Sequence, residues 1–141
     1  MLATSSAGNR PHAVGLLYAA VDLTLYVLVA SDSVKARNIR QNPKVAVSIP
    51  VRKYPFAPPM AVQFQGNAEL LAPDDPEIVR LAEAEAGRLR RIAGLGAGDK
   101  PGACFVRVTP GRRIASDGIG VPLRRLLRDV TAGARSVEIT D

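Results

Sequence analysis

Residues 13–30 read AVGLLYAAVDLTLYVLVA, with only Asp22 and Thr24 to interrupt a long apolar run. By hydropathy alone such a run is a membrane span or a late signal sequence. Asp22 stands in its middle, however, and a charge at a bilayer centre is costly. The run also breaks at Ala19-Ala20-Val21-Asp22, and only Met1–Arg10 precedes it, with one basic residue and no clear cleavage site. Two buried strands joined by a turn account for it better. The expectation is therefore a chain with no membrane association and a cytoplasmic location.

The rest of the chain fits short strands with few helices. Leu2-Ala3-Thr4 starts a strand and Ala7-Gly8-Asn9 has turn composition. Strands are predicted over 11–19 and 23–30. Ser31-Asp32-Ser33 opens a helix that runs to Gln41 and stops at Asn42-Pro43, because a residue before proline is pushed out of the helical region. Lys44–Val51 alternates as a strand. Tyr54–Pro59, with three prolines, reads as a stiff loop. Met60–Leu71 is a further strand in which Gly66 marks a bulge. Asp74-Asp75-Pro76-Glu77 starts a helix carrying Ile78, Leu81, Ala82, Leu89 and Ile92, with Arg88, Arg90 and Arg91 at its end. Gly94–Gly102 is a glycine-rich connector, strands follow at 103–109 and 112–116, and Pro122–Val130 is an amphipathic helix with Leu123, Leu126, Leu127 and Val130 inward. The order β-β-β-α-β-β-α-β-β-α predicts a mainly β (α+β) small barrel, a single domain over 1–141 with a helical tail at 118–141.

At 141 residues the chain is long enough to bury a core without disulfides or metal. One cysteine and one histidine exclude a disulfide framework and a multi-ligand zinc site. Cys104, beside Phe105, reads as core, and His12 as an ordinary strand residue in preference to a catalytic base. The glycines at 94, 96, 98 and 102 match no phosphate-loop pattern. A net charge of +6 favours anionic partners without choosing among them. Nucleic acid is not the expected partner. With three Tyr, three Phe and no Trp, the stacking platform of single-strand binders is missing, and Arg112-Arg113 and Arg124-Arg125-Arg128 read as a solvated face.

Ser31–Asn38 carries the most chemistry. It follows a buried strand and opens a helix, where unpaired N–H groups and the dipole attract an anion. Lys35 and Arg37 lie in or just past the first turn, where cations oppose the dipole. A bound phosphate resolves that conflict. A plain capped surface helix, with Asp32 supplying the negative charge, is the alternative.

These residues, in order, carry a resemblance: Leu2-Ala3-Thr4, Gly8-Asn9-Arg10-Pro11-His12, Leu25-Tyr26, Ser33-x-Lys35-x-Arg37-Asn38, Asn42-Pro43-x-Val45, Phe64-x-Gly66-x-Ala68-Glu69 and Phe105-x-Arg107-Val108-x-Pro110. Over residues 2–117 the chain resembles the pyridoxamine 5′-phosphate oxidase-like flavin-binding split barrels. The resemblance implies a six-stranded split β-barrel with short flanking helices, a homodimer, and a flavin phosphate held near the dimer interface. By position Ser33 and Lys35 match phosphate-binding residues, and Arg37 and Asn38 share their motif. Val29 and Ala30 are expected to meet the cofactor through backbone atoms, and His12 and Val14 to run along its ring system. No catalytic side chain is assigned, because the cofactor itself carries the hydride chemistry.

The departures are specific. Val34 stands where true pyridoxamine phosphate oxidases have a basic residue, and Met60-Ala61 where they have Arg-Gln. No C-terminal substrate arginine motif is evident, so vitamin B6 oxidation is not expected. With Leu2 already in the first strand, the family's leading helix is expected to be missing. The Lys-x-Arg-Asn pattern is also similar to relatives that use a deazaflavin. FMN is the expected cofactor, a deazaflavin (coenzyme F-420) the alternative, and the expected activity is an oxidoreductase acting on a small conjugated substrate. A flavin or tetrapyrrole protein that binds or senses without turnover is the competing reading.

Overall fold

The computed structural model describes residues 1–51, 60–84 and 102–139. Along the chain these form β1 (Leu2–Ser5), β2 (Pro11–Val14), β3 (Ala19–Val21), β4 (Thr24–Ala30), α1 (Val34–Gln41), β5 (Lys44–Val51), β6 (Met60–Leu71), α2 (Pro76–Ala84), β7 (Ala103–Asp117), α3 (Leu123–Arg128), a 3-10 turn (Val130–Gly133) and β8 (Arg135–Glu138). Every strand pairing is antiparallel, in the order β2-β1-β5-β6-β7-β4-β3, with β8 added beside β7.

β2 and β3 end that path without pairing to each other, so the sheet stays open. It nevertheless wraps one core. Leu2 of β1 and Val27 of β4, far apart along the path, share a cluster with Val45, Phe64 and Val106. Ala36 and Ile39 of α1 enter the same cluster, so the helix fills the side that hydrogen bonding leaves open. This is a split barrel, mainly β, as the sequence predicts. Its described sheet has eight strands and not six, because the 11–30 stretch divides into three and the tail adds one.

β4 explains the apolar run. Leu25, Val27 and Val29 face the barrel core, while Tyr26 and Leu28 face a second cluster with Ala19, Leu71, Phe105 and Ile78 of α2. A strand buried on both faces has no polar side to show. Among the described residues no helix is long and apolar enough to cross a membrane.

Four boundaries differ from the sequence reading. The strand expected over 11–19 ends at Val14, and the turn falls at Asp22-Leu23, one step later than the alanines suggest. Asp22 takes a φ of 52°, a left-handed turn conformation that aspartate tolerates. The two strands expected at 103–109 and 112–116 are one strand, β7. Pro110 is tolerated there because it lies after the last β4 partner, Val108, and before the first β8 partner, Arg113. The tail is not wholly helical, since β8 pairs back onto β7, and Leu127 points outward at 68% exposure while Leu126 is buried. The side chains of Leu123 and Val130, the loop at 54–59, the far half of the second helix with Arg88, Leu89, Arg90, Arg91 and Ile92, and most of the 94–102 connector lie outside the described residues.

The bulge expected at Gly66 is present. The register slips between Phe64 and Gly66, and a Cβ on Gly66 would stand 2.2 Å from the Thr109 carbonyl oxygen. Only glycine permits that approach.

Candidate functional site

The N-terminus of α1 is assembled by three short links. Ser31 N–H donates to the Gly102 carbonyl at 2.7 Å, Arg40 Nη1 donates to the Ser31 carbonyl at 2.8 Å, and Ser33 N–H donates to the Ala30 carbonyl at 3.1 Å. These pin the loop between β4 and α1 from both sides. Ser33 is the N-cap: its Oγ accepts from Ala36 N–H at 3.4 Å and donates to the Ala30 carbonyl at 2.6 Å. Asp32 is not the cap, and the first turn holds no acid. The Val34 and Lys35 amides have no acceptor among the described residues, since the Ser33 cap satisfies only the Ala36 amide of this first turn.

Lys35 is half-buried and Arg37 exposed, and neither side chain has a hydrogen bond or ion pair to a described residue. They are two positions apart, about 200° around the helix, so they leave it on different sides. Lys35 and Arg40 both lie close enough to Cys104 for their charges to act on its thiol. Burial pushes that thiol up, and the two cations pull it part of the way back. Cys104 itself is core, 8% exposed.

The other residues singled out by the sequence divide. Asn38 turns inward, 6% exposed, and its amide donates to Thr4 Oγ1 at 3.0 Å, tying α1 to β1. Val29 is buried in the β4–β7 ladder opposite Cys104, and the Ala30 carbonyl is occupied twice over by Ser33. His12 and Val14 are half-buried on edge strand β2, opposite Thr4 and Leu2. The structure thus brings Ser33, Lys35, Ala30 and Val29 together at one strand-to-helix junction. Arg40 completes that junction and escaped the sequence reading, although its place one turn beyond Ala36 on the same helix was the available signal.

Two further features were not anticipated. Across β4, β7 and β6, Tyr26, Arg107 and Glu69 stand in one cross-strand row. Glu77 of α2 reaches down onto it, accepting from Tyr26 Oη at 2.5 Å and from Arg107, which also donates to Glu69. Burial, and then the bond to Glu77, push the Tyr26 hydroxyl up to about 12. The second feature is an open cavity of about 630 Å³ on the outer face of β1, β5, β6 and β7.

The fold is shared with known proteins. It superposes on the heme storage protein HutZ of Vibrio cholerae with a TM-score of 0.69 at 22% identity, over 84% of this chain and 85% of that one. An FAD-binding protein of Mesorhizobium loti gives 0.61 at 22% identity, over 82% and 81%. An F420 reductase gives 0.53 at 21% identity, over 78% and 83%. One fold therefore carries flavin-binding, F420 reductase and heme storage proteins. No curated protein matches the chain. The family profile described as pyridoxamine 5′-phosphate oxidase matches residues 1–114, nearly the whole barrel with β1 through most of β7, and the chain belongs to that family.

Proposed function

We propose that this protein is a flavin-dependent oxidoreductase that holds FMN, or alternatively the deazaflavin coenzyme F-420, by its phosphate at the N-terminus of α1. The observation that carries the reading is the first turn of that helix. Among the described residues its two opening amides have no acceptor and its half-buried lysine no counter-ion, and the turn contains no acid of its own. A phosphate fits this donor set, since it accepts from the Val34 and Lys35 amides and neutralises the Lys35 ammonium together. Arg37, exposed on the other side of the helix, adds positive charge at longer range. Ser33 works as the cap that keeps the amides open, its hydroxyl proton already given to Ala30. The bound cofactor supplies hydride transfer to or from a small conjugated substrate. The protein's part is to anchor one end of it on a loop fixed by Arg40 and Gly102.

Oxidation of pyridoxamine phosphate does not suit the same site. Val34 is 44% exposed at the position of the family's basic residue, and Met60 is buried at 8% where the family has arginine. A homodimer belongs to the proposal as well; sedimentation equilibrium giving a monomer would remove that part of it.

The test is a visible absorption spectrum followed by titration with FMN and with F-420. Lys35→Ala is expected to cost about 1.5–3 kcal/mol of cofactor affinity, and Arg37→Ala less. Unchanged affinity in Lys35→Ala sinks the assignment. The likeness to a heme storage fold favours one second reading, tetrapyrrole binding without turnover. Titration with hemin checks it, because His12 is the sole histidine of the sequence, and its replacement by alanine should then alter the Soret band.

A further inference from the structure

The open sheet leaves β2 at one end and β3 at the other, with no ladder between them. α1 is tied to both sides of this split. Toward β4 it holds on through Ser33, whose N–H and hydroxyl both donate to the Ala30 carbonyl, and through Arg40, whose Nη1 donates to the Ser31 carbonyl at 2.8 Å. Toward the β1–β2 hairpin it holds on through Asn38 and Gln41. The Asn38 amide donates to Thr4 Oγ1 at 3.0 Å, and Gln41 Oε1 accepts from Ala7 N–H at 3.3 Å. Asn38 and Gln41 are three positions apart and therefore share one face of the helix.

The hairpin is the lightly held end of the sheet. Among the described strands β2 pairs with β1 alone, and β1 meets β5 over only Leu2, Ala3 and Thr4, whereas β6 pairs with β7 along most of its length. Its link to α1 is nonetheless buried, with Thr4 3% and Asn38 6% exposed. Swinging the hairpin off a fixed helix would leave the Asn38 amide buried without an acceptor, the costliest way to lose a hydrogen bond. Opening costs less when helix and hairpin leave together, so whatever holds α1 also holds the hairpin.

We propose that α1 is the clasp of the split barrel: the β1–β2 hairpin and the phosphate end of α1 open and close as one unit, with Asn38 and Gln41 as the positioning residues that join them. A cofactor held at the Val34 and Lys35 amides then also locks β2, the strand of His12 and Val14, although it touches neither tie. The inference rests on the phosphate reading of α1. By linkage the coupling runs both ways, so loosening the hairpin weakens cofactor binding.

The experiment is hydrogen–deuterium exchange of the full chain, read by peptide, with and without FMN or F-420, whichever the absorption titration shows to bind. At about a hundred times the Kd, any opening that requires α1 to release its ligand slows about a hundredfold. Residues 2–14 should slow by that factor together with α1, whereas β8, exposed along its whole length, opens alone and should not change. Gln41 is exposed, and Gln41→Ala should speed exchange of residues 2–14 in the loaded protein about fivefold. Gln41→Glu keeps the acceptor and should behave as wild type. Thr4→Val deletes the buried acceptor and should weaken cofactor binding about tenfold, with Thr4→Ser restoring it. If Thr4→Val does not fold, the wild-type comparison and the two Gln41 variants decide. The proposal is overturned if the cofactor slows α1 but not residues 2–14, if β8 slows as much as the hairpin, or if Gln41→Ala exchanges as wild type does. Binding of neither cofactor overturns it together with the phosphate reading, a failure that the titration reports before any exchange is measured.

Discussion

The two helices that flank β4 treat charge in opposite ways. α2 brings Glu77 into its own first turn, where an acid suits the helix dipole, and that carboxylate is held by Tyr26 and Arg107 over an apolar cluster. Every charge in that group has a partner within the chain. α1 has no acid in its first turn, places Lys35 there against the dipole, and leaves both Lys35 and Arg37 without partners among the described residues. The first arrangement is complete in itself and serves stability. The second is complete only when an anion arrives, and this contrast, more than the basic residues as such, singles out α1 as the binding end.

The largest effect should come from breaking the self-contained group. Glu77→Ala strands the hydroxyl of Tyr26, a residue only 5% exposed, and leaves Arg107 half-buried with Glu69 alone, so a loss of about 2–4 kcal/mol in urea unfolding is expected. FMN affinity should not change, because α1 is untouched. Glu69 is the internal control. Its side chain is 61% exposed, and Glu69→Gln should cost no more than about 1 kcal/mol. Equal losses from the two would mean that burial under α2 adds nothing to the ion pair.

Titration sharpens the same contrast. The Tyr26 hydroxyl is pushed from its ordinary 10.0 up to about 12, first by burial and then by Glu77. Its folded value is raised, so the stability it contributes is whole below about pH 10 and disappears as pH climbs through about 12. Over that window wild type should lose on the order of 2 kcal/mol relative to Tyr26→Phe. Denaturant melts at pH 9 and pH 12 test this, and parallel behaviour of the two proteins would remove Tyr26 from the account.

The difference between the two regions also governed what could be read without coordinates. α1 was legible because its determinants are local: Ser31-Asp32-Ser33 as start, Asn42-Pro43 as stop, and the cations in between all lie within one short stretch, although which of the three caps the helix, Ser33, came only with the structure. Gly66 was legible for the same reason, as a glycine inside an alternating strand. The Tyr26–Arg107–Glu69–Glu77 group was not, because it depends on the register of three strands and a helix drawn from across the chain. Its one visible trace was Arg107, a lone charge within the apolar CFVRV segment. The outer cavity was hidden similarly, since Ala3, Ala46 and Gln65 become neighbours only through strand pairing. β7 was divided in two because Pro110-Gly111 reads as a turn when the gap between β4 and β8 is unknown.

The smallest effect is also the one most particular to the binding end. In the absence of a cofactor, Lys35 sits as a cation at the positive end of α1 with no acid to offset it. Such placement costs a helix roughly 0.3–1 kcal/mol, so Lys35→Ala should raise the stability of the cofactor-free protein by a few tenths of a kcal/mol while lowering cofactor affinity. The two readouts move in opposite directions, which no loss of packing would produce. Urea midpoints with and without FMN measure both: the variant should unfold later than wild type when empty and earlier when saturated. If Lys35→Ala is the less stable protein in both conditions, the lysine belongs with Arg107 as a structural residue, and the contrast between the two helices fails.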